Sequence, residues 1–296
     1  MNRMLSIDEP STGLPDTGQR GVWDRFWKHR PSAEKDDALL ARESRGPRFQ
    51  LVLDRLKSTF GSIKGLRTVE LGSGRGDLSA LLVKEGAEAT LLDRSESALN
   101  EAKWRFDRLG LNARFDIGDI TGSLEPWRDR FDVAMSLGVI EHFQDDQRTQ
   151  VIRAHHDVLK PGGLAIISAP NAWCIPYRVW KFYLQHRGWW PYGMELPYTK
   201  DELVNRAHRA GFARAVIHAL GFWQSIGDYW GPMLLKRKPD WWNRRSVLDA
   251  WAGVVLLLFA WRGQSRIHVE HDYPVHAESE LISGNEAPTD TEVALR

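Results

Sequence analysis

From Leu66 onward, short apolar runs alternate with segments of helical period, and the first run ends in a turn with glycine at every second position. Strand candidates at 68–71, 89–92, 113–117, 131–136 and 164–168 are separated by helix candidates at 77–85, 97–109 and 147–159. This repetition commits a chain to right-handed crossovers and a parallel, doubly wound sheet, because parallel neighbours can be joined only across a face of the sheet. The expected fold is α/β and Rossmann-like, with seven strands and helices on both faces. A sixth strand is expected at 212–220. The continuous apolar run at 253–261 reads as a last, central strand, since strands buried on both faces lack polar alternation. Thr199 with Glu202 predicts a capping box at the start of a helix over 199–210.

Around this core the chain divides by composition. Residues 1–20 carry Pro10, Gly13, Pro15 and Gly18 with little apolar content and are expected to be a flexible leader. Trp23, Phe26 and Trp27 recur at helical spacing. The main domain is expected over 21–270. It holds an aromatic cap inserted at 169–198 and a basic, Trp-rich insertion at 221–249. Residues 271–296 read as a disordered acidic tail. Lys and Arg total 40 against 39 Asp and Glu, a net charge of +1, so the field needed to grip nucleic acid is absent and no nucleic-acid partner is expected. The single cysteine, Cys174, excludes an intrachain disulfide and a multi-cysteine zinc site. No secretory h-region is visible, and the run 250–261 is too short to span a bilayer, so the cytoplasm is the expected location.

The glycine turn reads Val69-Glu70-Leu71-Gly72-Ser73-Gly74-Arg75-Gly76-Asp77. Glycines there let backbone approach a ligand with no Cβ between, and the next helix adds its N-terminal amides. A dinucleotide fingerprint needs its third glycine where Asp77 stands. Asp77 instead places negative charge where a pyrophosphate would lie, which favours a ligand without phosphates.

The pattern E-x-G-x-G-x-G resembles motif I of the class I S-adenosylmethionine-dependent methyltransferases. Later segments agree in order and spacing: Leu91-Leu92-Asp93, Gly118-Asp119-Ile120, Phe131-Asp132-Val133-Ala134-Met135-Ser136, Val139-Ile140-Glu141-His142-Phe143, Leu159-Lys160-Pro161-Gly162-Gly163, and Tyr198-Thr199-Lys200-Asp201-Glu202-Leu203 followed by Ala210-Gly211-Phe212. The resemblance covers about residues 45–220 and points to the broad small-molecule branch that includes ubiquinone-pathway O-methyltransferases. It implies S-adenosylmethionine as cofactor. Asp93 would accept from both ribose hydroxyls. Asp119 would bond the adenine amino group, with Ile120 on the ring. Glu70 would lie near the methionyl amine, and Gly72 and Gly74 against the methionyl and ribose portions. Ser73, Gly76 and Arg94 belong to the same implied set, and Ser136 and Leu137 would flank the cofactor from the other side. Arg45 or Arg48 is a candidate for its carboxylate.

Methyl transfer from a sulfonium depends on aligning and deprotonating the acceptor. His142 is the candidate general base; the alternative is that Glu141-His142 only shapes the cleft. Asp145 and Asp146 are read as capping the following helix rather than holding a divalent ion, and no metal is expected. The Asn/Asp-Pro-Pro-Tyr motif of amino-group nucleic-acid methyltransferases and the Pro-Cys nucleophile of cytosine-C5 enzymes are both absent. Trp173, Tyr177, Trp180 and Tyr198 are candidates for lining an apolar or aromatic acceptor site, though helical spacing also fits packing. Lys236-Arg237-Lys238 and Trp241-Trp242-Asn243-Arg244-Arg245 suit a membrane interface, or a solvated basic loop. The expected activity is methyl transfer to a small lipophilic or aromatic acceptor, at oxygen. The alternatives are N- or C-methylation of a small molecule and a non-catalytic cofactor-binding scaffold.

Overall fold

Seven strands form one sheet in the order β3-β2-β1-β4-β5-β7-β6: β1 Arg67–Leu71, β2 Glu88–Asp93, β3 Ala113–Ile117, β4 Phe131–Leu137, β5 Leu159–Pro170, β6 Arg214–Leu220 and β7 Val255–Trp261. The computed structural model describes Trp23, Phe26, Trp27, residues 30–230 and residues 246–263, all within one compact unit spanning Met1–Gln264. The expected leader at 1–20, residues 231–245 of the basic insertion and the expected tail at 271–296 lie outside the described residues.

β1 to β5 pair in parallel, as their apolar runs predict. β7 is central, with Leu256 to Ala260 fully buried, but it runs antiparallel to both β5 and β6, so the sheet is mixed. The register gives the reason. Leu220, the last residue of β6, faces Val255, the first of β7, so the chain between them leaves and re-enters the sheet at the same end. That return can only reverse the strand.

Helices α1 Ala33–Ser44, α2 Pro47–Phe60, α3 Asp77–Lys84, α4 Glu96–Arg108, α5 Gln147–Val158, α6 Ile175–His186, α7 Lys200–Arg209, α8 Phe222–Tyr229 and the single turn α9 Asp249–Ala252 surround the sheet. Among the described residues two large apolar clusters form, one centred on Val69, Leu92, Ile152 and Leu258, the other on Val52, Leu56, Leu91 and Phe259, with a small third at Cys174, Tyr177 and Val254. Side-chain caps begin three helices. Ser32 accepts from Lys35 N, Ser95 from Ala98 N and Thr199 from Glu202 N, each worth about 1 kcal/mol. Only half of the capping box forms at Thr199, because the Glu202 carboxylate turns to Arg148 and Arg206. Asp146 stands at the N-cap of α5 without a side-chain cap bond. Helix α1 lay hidden in a polar stretch, since only Asp36 and Leu40 of it are buried.

Asp36 is the point at which α1 is fastened. The Arg105 guanidinium of α4, fully buried, donates from Nε to both Asp36 carboxylate oxygens at 3.0 and 3.2 Å. The same guanidinium reaches the Arg75 carbonyl at 3.0 Å and the Asp77 carboxylate. Burial pushes the Asp36 carboxyl up, but the Arg105 and Arg108 guanidiniums beside it overcome that and hold it below the ordinary carboxylate range. The N-terminal helices and the glycine turn therefore share one buried cation.

Candidate active site

A cavity opens at the carboxyl ends of β1, β2 and β4, where open α/β sheets bind ligands. It is lined by Glu70, Gly72, Ser73, Gly74, Asp93, Arg94, Asp119, Ile120, Leu137 and His142, all singled out from the sequence. Trp23, Trp27, Arg75, Asp77, Gly118, Gly138, Val139 and Phe143 complete the wall. The glycines at 72 and 74 are required twice over. Both have left-handed φ, 69° and 52°, and a Cβ would stand 2.9 Å from Val139 Cγ2 at position 72 and 2.8 Å from the Trp27 ring at position 74. Gly76 faces away from the cavity, toward Leu91 on β2, where a Cβ would meet Cδ2 at 2.3 Å.

Glu70 is buried, and its Oε2 accepts from Ser79 Oγ at 2.5 Å and Ser79 N at 3.2 Å. Burial dominates over those bonds and pushes the carboxyl up to about 7. Asp93 accepts from Gly74 N at 2.9 Å and Ser95 N at 2.8 Å, so the carboxylate at the end of β2 is aimed by the turn it serves. Burial raises its pKa despite these bonds. Asp119 Oδ1 accepts from Thr121 N at 2.9 Å and Thr121 Oγ1 at 2.7 Å. The Ser73 hydroxyl is buried without a hydrogen-bond partner in the cavity wall.

His142 ends a 3-10 turn at Ile140–His142 and is buried. Its Nδ1 lies 2.7 Å from the Met194 carbonyl oxygen. A carbonyl only accepts, so Nδ1 carries the proton and Nε2 keeps its lone pair. The Trp23 ring meets the imidazole edge-on at 4.9 Å. Burial pushes the His142 pKa down to about 4, against the raising effects of the Met194 bond and of a weaker backbone bond to Gly138. Glu141 is also buried, its Oε2 has no partner, and burial lifts it to about 8.

Several sequence candidates stand elsewhere. Ser136 is fully buried behind the cavity. Among the described residues, none from 169–198 lines it. Trp173 is 63% exposed. Tyr177 is buried and bonds the Glu195 carboxylate. Trp180 packs edge-on against Trp230. Tyr198 is fully buried, donates to the Ile140 carbonyl at 3.1 Å and carries Arg148 over its ring at 3.5 Å. The expected cap is thus helix α6 packed beside the cavity wall and not over it: Tyr177 turns inward to a loop contact, while Tyr183 is exposed. Arg48 is held by Glu43 at 2.8 Å, Arg45 ends α1, and Asp145 and Asp146 are exposed. The sequence reading missed Trp23 and Trp27; their helical spacing was the one signal available.

Residues 69–163 match the family model of a methyltransferase domain. Over those residues the chain carries a methyltransferase domain. Over 119 residues, which are 40% of this chain and 46% of the other, the protein is 36% identical to the ubiquinone biosynthesis O-methyltransferase of Ruegeria pomeroyi. Over 110 residues, 37% of this chain and 46% of the other, it is 34% identical to the enzyme of that name from Coxiella burnetii. The chain spans about half the length of the curated relatives it matches. In fold it is similar to a Haemonchus contortus phosphoethanolamine N-methyltransferase holding S-adenosylhomocysteine (TM-score 0.54, 18% identity, 84% of this chain and 60% of that one). It is similar also to the magnesium protoporphyrin IX methyltransferase of Synechocystis (TM-score 0.51, 17% identity, 82% and 94%). The methyltransferase domain's cofactor, S-adenosylmethionine, fits the residues present: two acids at strand ends, an unsatisfied hydroxyl at Ser73, and glycine backbone open to close approach. Asp77 is no obstacle to it, because Arg105 answers that charge.

Proposed function

We propose that this methyltransferase domain transfers the methyl group of S-adenosylmethionine to an oxygen of a small, lipophilic or aromatic acceptor. The observation that carries the reading is that His142 and the Glu70, Gly74 and Asp93 group line one cavity, with Trp23, Trp27 and Phe143 supplying apolar wall beside the histidine. Asp93 would hold the ribose hydroxyls, Glu70 the methionyl ammonium, and Asp119 with Ile120 the adenine. When bound, the cofactor supplies a methyl group already activated as a sulfonium substituent. His142 Nε2 would take the hydroxyl proton as the O–C bond forms and the S–C bond breaks. A low pKa is tolerable there, since the acceptor hydroxyl becomes far more acidic as its oxygen acquires a second carbon.

The test is release of S-adenosylhomocysteine from purified protein supplied with a panel of hydrophobic phenols, alcohols and amines. Turnover with hydroxyl acceptors alone supports the reading, and turnover with amines alone rejects oxygen as the target. His142→Ala should lower kcat by about 10²–10⁴-fold, the usual contribution of a general base, with cofactor affinity kept.

We further propose that the acceptor is reached from a lipid surface. Apart from Leu39 and Ile117, every exposed large apolar side chain among the described residues falls within 173–196 or 247–251. On α6, Ile175, Val179 and Phe182 form an exposed stripe at helical spacing. Asn171 joins the two groups by accepting from Trp173 N at 3.0 Å and donating to Trp251 O at 3.4 Å. Residues 171–194 carry no acid, and Arg178 and Arg187 within them are exposed, which suits anionic headgroups. The basic residues at 236–238, the sequence candidate for this role, lie outside the described residues. Among the described residues no helix is long and apolar enough to cross a membrane. The protein should co-sediment with phosphatidylglycerol vesicles, and Val179→Asp with Phe182→Asp should abolish this; no binding by the parent rejects the surface.

A further inference from the structure

The carbonyl that sets the His142 tautomer belongs to a loop. Between α6 and α7 the backbone has no ladder pairing among the described residues beyond the bridge Asn171↔Tyr198. Side chains, with a few isolated backbone bonds, hold it instead. Lys181 Nζ donates to the Glu195 carbonyl, and Tyr177 Oη donates to the Glu195 carboxylate. Leu196 N donates to the Glu141 carbonyl at 2.8 Å. Arg148 donates to the Leu196 carbonyl at 3.0 Å and the Pro197 carbonyl at 3.3 Å.

Lys181 and Tyr177 are the buried residues of α6, and both face this loop. A lysine inside a protein is costly unless it is partnered. Burial lowers its pKa, while Glu195 and Glu141 oppose that shift. The carboxylates and imidazole of Glu141, His142 and Glu195 bring ligand atoms within 4.8 Å of one another. Lys181 Nζ, 4.0 Å from Glu195 Oε1, already supplies a cation to this group.

We propose that Lys181 and Tyr177 are positioning residues for the reaction. They hold residues 194–196 so that the Met194 carbonyl keeps the proton on His142 Nδ1 and leaves Nε2 able to accept one. This rests on His142 being the base. The two faces of α6 then divide their work: the outer stripe is exposed, and the inner pair reaches the histidine through one loop. Loosening the loop returns the imidazole to a mixture of tautomers, because the hydrogen bond at one ring nitrogen is what assigns the proton.

The experiment is ¹⁵N NMR of the histidine rings in the full chain, with the His142 signals assigned by their loss in His142→Gln. The parent should show Nδ1–H with a bare Nε2. Tyr177→Phe and Lys181→Met should both populate Nε2–H and lower kcat about tenfold, part of a general base's contribution, with KM for S-adenosylmethionine unchanged. Lys181→Arg, which keeps a donor, should restore the parent tautomer. If Lys181→Met fails to fold, Tyr177→Phe decides, since it loses one oxygen and keeps the ring. An unchanged tautomer in the folded variants overturns the proposal. So does loss of turnover on chelation with recovery on adding Mg²⁺, which would give the three ligand atoms to a cation. Full turnover by His142→Gln would instead sink the base reading, whatever the tautomer spectra show.

Discussion

Gly74 and Trp27 meet in the wall of the candidate cavity, so close that a methyl group at position 74 would stand 2.8 Å from the indole. Trp27 comes from the stretch before α1, and its ring also receives the Arg75 guanidinium at 5.5 Å. Trp23, from the same stretch, touches His142, and Phe26 touches Tyr192 at 5.7 Å between ring centres. The N-terminal aromatics thus join the glycine turn to the candidate base.

Gly74→Ala should weaken S-adenosylmethionine binding by at least tenfold in calorimetric titration. The left-handed backbone alone costs a non-glycine residue about 1–2 kcal/mol, and the new methyl displaces Trp27. Adding Trp27→Ala removes the steric part, so the double variant should bind better than the sum of the single losses implies. Strict additivity would show that the contact does not bear on binding.

Asp93→Ala should cost about 1.5–3 kcal/mol of cofactor affinity, the worth of hydrogen bonds to a charged group, which is roughly ten- to hundredfold in Kd. Part of that loss is indirect, since Asp93 also holds Gly74 N and Ser95 N. Unchanged affinity would remove Asp93 from the ribose role.

Glu70 should make both stability and binding depend on pH. Its carboxyl is raised from 4.5 to about 7, so the folded protein binds the proton more tightly than the unfolded chain does. That stabilisation is full below about 4.5 and is lost as pH rises through about 7. A bound ammonium would favour the ionised form, so cofactor affinity should rise across the same window. Glu70→Gln should flatten both profiles, read by denaturant unfolding and by calorimetry between pH 5 and about 8.5.

Asp36→Ala should destabilise the protein by about 3–5 kcal/mol, because it leaves the Arg105 guanidinium buried with one partner fewer. Since Arg105 also holds the Arg75 carbonyl and Asp77, cofactor affinity should fall with it. Loss of stability with intact affinity would show that the turn keeps its shape without α1.

Much of this was legible in the chain. The five parallel strands announce themselves as apolar runs; Glu70 and Asp93 sit near the ends of β1 and β2, and Asp119 and His142 in the segments that follow β3 and β4. Trp23 and Trp27 were not assignable, because their partners lie far along the chain, at Gly74 and His142, and no local period encodes a contact over that distance. The aromatics of α6 misled for the reason that a helical repeat states which residues share a face and not what that face meets. Tyr177 turned out to face a loop, and Phe182 faces outward.

What the sequence determined by itself is what neighbouring residues decide: strand or helix, where glycine admits a left-handed turn, and which acids end a strand. Tertiary structure alone decided the rest. An apolar run has no direction, so only the pairing of Leu220 with Val255 reversed β7. Ionisation followed the same division. Glu70 and His142 are ordinary groups in the chain, and it is desolvation by distant segments that moves one up to about 7 and the other down to about 4. Burial is a property of the assembled fold, and the proton on His142 Nδ1 is placed by a carbonyl that stands beside it only once α6 and its loop have docked.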